Sequence, residues 1–223
     1  MDVLSRTIWN NIDRFGMGLL VTVEIALIAF FVAIVAGLLL ALLRMYVKPL
    51  RWPAGFLIQF SRNTPIYVQL IWVAYVWPDI FGWPLSFFQA GWAALALQSA
   101  GYLAETFRAG IEGIPAGHRH AAQALGMGPG LTLRRIVLPQ AFLTMSPSIM
   151  NQFLVVIKSS TLVSVIAVPD LMYEAQRLVS IWFEPIEILS FTAFIYIVIV
   201  FLLSRALKGY SDRLRARYGL VGP

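Results

Sequence analysis

The chain has 223 residues, of which 59% are hydrophobic and 13% are charged, and its mean hydropathy is +0.77. This composition excludes an ordinary soluble domain and indicates a protein that lies in a lipid bilayer. The net charge is +6 and there is no cysteine. Disulfides and thiolate chemistry are therefore excluded, and because excess Lys and Arg in a membrane protein record its orientation, we expect no nucleic-acid partner.

Five apolar segments are each long enough to cross roughly 30 Å of hydrocarbon as a helix, which takes about 20 residues. They predict an all-α polytopic membrane protein with spans at about 16–43, 53–77, 87–107, 140–168 and 185–206. We expect residues 1–223 to form a single transmembrane domain. No internal repeat or separate soluble domain is visible in the sequence.

The charges between these spans predict how the chain is oriented, because cytoplasmic connections carry an excess of Lys and Arg. The basic residues on the predicted cytoplasmic side are Arg44, Lys48, Arg51, Arg108, Arg119, Arg134, Arg135, Arg205, Lys208, Arg213, Arg215 and Arg217. The acidic residues on the predicted external side are Asp79, Asp170, Glu174, Glu184 and Glu187. We therefore expect the N-terminus outside the cell and the C-terminus in the cytoplasm.

The longest predicted cytoplasmic connection, at about 112–139, has proline and glycine residues at positions that predict the starts and the end of two short helices. Pro115 and Pro129 suit the first turn of a helix, and Gly126 can adopt the left-handed conformation that ends one. The first helix would carry Ala121 and Ala122 beside Leu125, a surface that a soluble partner could approach closely. A loop lying on the lipid headgroups is the alternative.

The sequence of residues 120–139, HAAQALGMGPGLTLRRIVLP, resembles the EAA loop of ABC importer permeases. In that family the loop forms a coupling helix that docks into a cleft of the ATP-binding subunit. The positions that match in spacing are Ala121, Ala122, Gly126, Ile136, Leu138 and Pro139. His120 stands where the family usually has Glu, and we assign it with Leu125 to the same ATPase-coupling surface.

Three further segments narrow the resemblance to the polar amino acid uptake branch of the type I importers: SRNTPIYVQL at 61–70, GYLAETFRAGIEGIP at 101–115 and IKSSTLVSVIAVPDL at 157–171. This sequence departs from the branch at Asn63, where Gly is usual, and at Ser159 and Ser160, where Asp-Thr is usual. The resemblance implies the type I permease fold with five transmembrane helices, in a multi-pass protein of the bacterial inner membrane that carries a small polar solute, with an amino acid as the expected class.

The same resemblance implies the partners of the chain. These are a separate ABC ATP-binding subunit, a second permease chain in a homodimer or heterodimer, an extracytoplasmic solute-binding protein and the lipid bilayer. ATP and Mg²⁺ would be bound by the ATP-binding subunit, so we expect no cofactor in this chain.

Charged and polar side chains inside the spans require a partner or a function. Lys158, with Ser160 and Thr161, lies deep in the fourth span. Its ammonium group could face a solute carboxylate in a substrate pathway or a buried acidic group. Arg62 and Asn63 precede Thr64-Pro65 in the second span, which predicts either a broken helix beside the pathway or an Arg that reaches the headgroups.

Glu105 and Arg108 are three residues apart near the end of the third span, so they lie on one helix face and predict a structural ion pair. The sequence has no phosphate-binding loop and no metalloprotease motif, and its two histidines lack neighbouring carboxylates. We expect no catalytic residue and no metal site. A secondary transporter or channel is the alternative function, although such proteins usually carry ion-coupling residues and inverted repeats.

Overall fold

A computed structural model of the chain describes residues 7–217, apart from the side chains of residue 119 and residues 214–217. Residues 1–6 and 218–223 of the predicted single domain lie outside the described residues, as do the side chains of Arg119, Arg215 and Arg217. Nearly all of the described chain is helical, and it contains no strand between residues 7 and 217. The predicted all-α fold is confirmed.

The helices in chain order are α1 (Ile12–Tyr46), α2 (Arg51–Asn63), α3 (Ile66–Tyr75), α4 (Trp77–Phe81), α5 (Phe87–Glu112), α6 (Ala116–Ala124), α7 (Pro129–Thr132), α8 (Leu138–Ser159), α9 (Leu171–Trp182) and α10 (Pro185–Arg217). A 3₁₀ turn, Lys48–Leu50, joins α1 to α2. A π-helical segment, Leu133–Val137, joins α7 to α8, and a 3₁₀ segment, Ser160–Ile166, continues α8.

Three helical segments of the described chain are long and apolar enough to cross a membrane: Ile12–Tyr46, Pro129–Ile166 and Pro185–Arg213. The predicted count of five spans is therefore not confirmed. The two predicted spans without such a segment are 53–77 and 87–107, and the reason differs between them. The predicted span 53–77 is divided between α2 and α3, each shorter than a bilayer is thick. Helix α5 has 26 residues, but neighbouring helices surround it, so it can be rich in Ala and Gly instead of the large apolar residues that face lipid.

Helix α5 lies at the centre, where it contacts α1, α2, α3 and α8. Its longest contact is with α1, whose buried face carries Ala29, Ala33, Gly37 and Ala41 at every fourth position. Small side chains in this spacing let two helix backbones approach closely. A Cβ atom at Gly37 would lie 2.9 Å from the Ala100 carbonyl oxygen, so the two backbones leave no room for it.

The second predicted span is interrupted at Thr64 and Pro65, which both have extended backbone conformations. Proline disfavours a helical conformation at the residue before it and has no amide proton of its own. Gln69, which is fully buried, donates its Nε2 protons to the carbonyl oxygens of Ser61 at 2.7 Å and Thr64 at 3.3 Å. These bonds satisfy backbone groups that the break leaves without helical partners.

The helical segment that contains the fourth predicted span begins at Pro129, and it changes its winding twice. Pro139 has no amide proton, and next to it the Leu138 N–H donates to the carbonyl of Leu133, five residues earlier, which gives the π-helical segment. At the other end, the hydroxyls of Ser160, Thr161 and Ser164 donate to carbonyls three residues earlier. Such bonds compete with the regular α-helical pattern, in agreement with the 3₁₀ segment found there.

The fourth connection, predicted only as an external loop, contains helix α9. Asp170 caps it, because its Oδ1 accepts the Tyr173 N–H at 2.8 Å. Thr22 of α1 accepts the Leu171 N–H at 3.1 Å and donates to the Gly18 carbonyl at 2.9 Å. These contacts fix the start of α9 against α1.

A Gly37→Ala substitution tests the close packing of α1 on α5. The added methyl group must displace the α5 backbone, so we expect a loss of about 1–3 kcal/mol in the free energy of unfolding, measured by denaturant titration in detergent. Gly16→Ala, in the same helix, is the control, because nothing lies within 4 Å of a Cβ atom there. Equal stability of the two variants would contradict the packing described.

A second test uses the buried Asp170 carboxyl. Burial raises the pKa of Asp170 from 3.8 to about 7. Between these pH values the folded chain holds a proton that the unfolded chain has released, so stability should fall as the pH rises from about 4 to about 7. Asp170→Asn keeps the capping oxygen without the titration, and we expect a flatter profile of unfolding free energy against pH. If the unfolding free energy of both proteins changes with pH at the same slope, Asp170 is not the cause of the pH dependence.

Candidate functional site

The first helix of the predicted coupling loop, α6, projects from the bundle. It has nine residues, and among its described side chains every one is exposed except Ala122, which is 1% exposed. A helix this short is marginal by itself in water. Its contacts with α7 and with the π-helical segment, and the hydrogen bonds at its C-terminal end, must hold it in place.

Gly126 ends α6 in the conformation predicted from the sequence, with φ of +76°. Its N–H donates to the Gln123 carbonyl at 2.9 Å, and the Met127 N–H donates to the Ala122 carbonyl at 3.0 Å. This pair of bonds is a Schellman motif, which satisfies the last carbonyls of a helix. Any side chain at this position would strain the backbone, although nothing lies within 4 Å of a Cβ atom there.

The outward surface of α6 differs in one respect from the prediction. Ala121 and Leu125 lie one turn apart and are both exposed, Leu125 by 80%, whereas Ala122 is buried. Ala122 is therefore turned away from the surface that was predicted to contain all three residues. We call the exposed residues His120, Ala121, Leu125 and Gly126 the α6 patch.

The remaining predicted coupling residues lie at the start of the long helix, outside the α6 patch. Ile136 is half-buried in the π-helical segment, and Leu138 and Pro139 are exposed in the first turn of α8. A direct link joins α6 to this turn, because Nδ1 of His118 is 2.7 Å from Oε1 of Gln140. Sequence analysis did not find this link, since nothing in the spacing of the two residues signals it.

The predicted ion pair lies in a larger cluster. Oε2 of Glu105 is 2.8 Å from Nη2 of Arg108, and Arg108 also reaches Glu112 at 2.5 Å. Arg44 of α1 contacts Oε1 of Glu105, and Arg62 of α2 lies 3.8 Å from the same oxygen. One carboxylate thus contacts arginines from α1, α2 and α5, and we call this group the Glu105 cluster.

Arg62, which was assigned from sequence to the substrate pathway together with Asn63, has its partners at this cluster. The guanidinium of Arg62 stacks on the ring of Tyr102 at 5.3 Å, and the Tyr102 hydroxyl donates to the Arg62 carbonyl at 3.3 Å. Asn63 is exposed and donates to Oε1 of Gln59 at 3.3 Å. Neither residue is part of the wall of the cavity that Lys158 lines.

Lys158 lines a cavity of about 610 Å³ between the end of α8, α9 and α10. The polar residues of its wall are Lys158, Thr161, Ser164, Gln176, Thr192 and Tyr196. Lys158 is exposed, and its side chain has no ion pair or hydrogen bond with any of the described residues. Its ammonium group is therefore free to bind an anionic group that enters the cavity.

The two hydroxyl residues predicted beside Lys158 are separated by the fold. Thr161 lines the cavity and donates its hydroxyl to the Lys158 carbonyl at 2.9 Å. Ser160 is fully buried and donates to the Ile157 carbonyl at 2.7 Å, so it does not reach the cavity. As for metals, the residues that the structure describes contain no group of three or more His, Asp or Glu side chains that could hold an ion.

The comparison with known families shows to which family the chain belongs. Residues 33–217 match the family of the binding-protein-dependent transport system inner membrane component. The chain belongs to this family. The permease identified from the loop and the three further segments is thereby confirmed, and the alternative of a secondary transporter or channel is not supported.

Curated relatives match along most of their length. The arginine transport system permease protein ArtQ of Bacillus subtilis is 33% identical, over 89% of this chain and 91% of its own length. The probable glutamine ABC transporter permease protein GlnM of the same organism is 32% identical, over 95% of this chain and 98% of its own length. The octopine transport system permease protein OccM of Rhizobium radiobacter is 34% identical, over 89% and 84%.

Solved structures agree with the fold. A crystal structure of an amino acid ABC transporter with histidines matches with a TM-score of 0.88 and 34% identity, over 96% of this chain and 99% of the other. The MetNI methionine ABC transporter in an inward-facing conformation matches with a TM-score of 0.78 at 17% identity, over 92% and 98%, and so shares the fold. The chain is a multi-pass inner-membrane transport component and is not itself catalytic.

Proposed function

We propose that this chain is one of two permease chains in an importer that carries an amino acid inward. A separate ATP-binding subunit holds ATP and Mg²⁺ and supplies the energy, and a solute-binding protein delivers the amino acid from outside. The relatives named for arginine, glutamine and octopine support this class of solute. The observation that carries the proposal is the exposed α6 patch on a short helix linked to α8.

The α6 patch is suited to bind the ATP-binding subunit. It combines a small residue, Ala121, with the exposed leucine at 125, on a helix that a groove in a soluble partner can enclose. Burial of an exposed leucine stabilises such a contact by about 1.5–3 kcal/mol. We therefore propose that the ATP-binding subunit covers Leu125.

Helix α8 is the element that would transmit movement of α6 into the membrane. The hydrogen bond between His118 and Gln140 ties α6 to its first turn. Lys158 lies near its other end, and its 22 residues span about 33 Å at 1.5 Å per residue. A displacement of α6 would shift one end of a continuous helix whose other end lines the cavity.

The exposed ammonium group of Lys158 supports both a solute pathway and a second permease chain. A lysine inside a membrane span does not face lipid without a large energetic cost, so it faces water or protein. The open side of its cavity would be closed by the second chain, and the ammonium would bind the carboxylate of the amino acid. Gln176 and Thr192 add polar groups to the same wall.

The orientation of the chain is part of the proposal, with the N-terminus outside and the C-terminus in the cytoplasm. The Glu105 cluster supports it, because Glu105 contacts Arg44 and Arg108, which were assigned by their charge to the same side from two different connections. Helix α6 follows the end of α5 closely, so it lies on that side as well. The ATP-binding subunit must be there for coupling to occur.

Leu125→Glu tests the coupling surface. A carboxylate at the centre of a contact that excludes water should weaken binding of the ATP-binding subunit by at least about tenfold, as truncations at such central positions do. We expect the subunit to be lost on purification and solute uptake into vesicles to fall in parallel. Leu85→Glu is the matched control, since Leu85 is 81% exposed and belongs to a predicted external connection. Normal uptake and normal copurification of Leu125→Glu would refute the coupling role.

Lys158→Met tests the pathway. Loss of a charge-assisted hydrogen bond to the solute should reduce uptake roughly tenfold to a hundredfold, while the importer still assembles. Lys208→Met, which removes an exposed lysine near the end of α10, should leave uptake unchanged. If both variants transport equally well at equal expression, Lys158 does not contact the solute.

A further inference from the structure

A second charged cavity lies where α1 ends and α2 begins. Its volume is about 570 Å³. Its wall includes three cationic residues, two aromatic residues and one amide: Arg44, Lys48, Arg51, Trp52, Phe56 and Gln59. It shares Arg44 with the Glu105 cluster but is otherwise separate from the α6 patch and from the Lys158 cavity.

The positive charge of this cavity is compensated by the protein at only one of its three cationic residues. Arg44 is paired with Glu105. Lys48 and Arg51 are both exposed, and their side chains have no ion pair with any residue between 7 and 217 that the structure describes. None of the described residues in the wall is acidic. Two free cations therefore face one cavity, which favours an anionic ligand.

The aromatic residues indicate that the ligand of this cavity lies at the membrane surface. Trp52 is 79% exposed and Phe56 is 61% exposed, and their rings stack at 6.0 Å. Phe56 stacks in turn on Phe60 at 6.3 Å, so an aromatic ladder runs along α2 away from the cations. The turn Lys48–Leu50 follows the 35-residue apolar helix α1 and therefore lies at the boundary between lipid and water.

We propose that this cavity binds the headgroup of an anionic membrane phospholipid. Lys48 and Arg51 hold the phosphodiester, and Trp52 and Phe56 pack against the glycerol and the first acyl carbons. A free phosphate ion could use the two cations, but it would leave the exposed aromatic side chains in water. The combination of charge and apolar surface fits a lipid.

The test is lipid binding to the full-length chain in an uncharged detergent. The chain is titrated with phosphatidylglycerol or phosphatidylcholine, and bound lipid is counted by native mass spectrometry. We expect phosphatidylglycerol to bind in preference. The double variant K48Q/R51Q should bind it roughly 25-fold more weakly, since each Lys or Arg near an anionic surface contributes roughly a factor of five.

Two further variants make the result specific. K208Q/R213Q removes the same charge from the end of α10 and should bind phosphatidylglycerol as the wild type does. K48R/R51K keeps both charges and should retain binding. Equal binding of the two lipids, or equal losses in K48Q/R51Q and K208Q/R213Q, would overturn the proposal. Displacement of the lipid by an equal concentration of inorganic phosphate would overturn the lipid assignment in favour of a soluble anion.

Discussion

The close approach of α1 and α5 through small side chains is the constraint on which the other contacts of this protein depend. At Gly37 the two backbones leave no room for a Cβ atom. At Gly101 helix α5 is also tight against α2, because a Cβ atom there would overlap the Ser61 hydroxyl and lie 3.0 Å from the Ile58 carbonyl oxygen. Since α5 is held against both helices, Glu105 lies within reach of arginines from α1 and α2, and α6 leaves the end of α5 in a defined direction.

The regular helices are interrupted where polar side chains replace the missing backbone bonds. The carbonyl groups at the break between α2 and α3 are satisfied by Gln69, and hydroxyl groups accompany the 3₁₀ segment after α8. Unsatisfied backbone groups are costly inside a membrane, so such breaks occur only with these partners. The 3₁₀ segment also turns Thr161 toward the cavity of Lys158 while Ser160 enters the core. The polarity of the cavity lined by Lys158 thus depends on local winding.

Features that depend on neighbouring residues could be predicted from the sequence, whereas contacts between distant residues could not. Gly126 ends α6 and Pro129 begins α7, as local backbone preferences required. The prediction for Glu105 included Arg108 but missed Arg44 and Arg62, because no periodicity relates residues on separate helices. The hydrogen bond between α6 and α8 was missed for the same reason. The number of spans could not be confirmed because hydropathy reports exposure to lipid, and α5 packs against four other helices, α1, α2, α3 and α8.

The central claim is that the α6 patch contacts an ATP-hydrolysing subunit, and a single engineered cysteine tests it most directly. The chain has no cysteine, so Leu125→Cys introduces one unique thiol at the exposed centre of the patch. With a short thiol-specific cross-linker, we predict a covalent product with the copurified ATP-binding subunit, in a yield that changes when ATP is added. Leu85→Cys should give none. A transport-competent importer in which the thiol at 125 gives no such product, while the thiol at 85 does, would contradict the account.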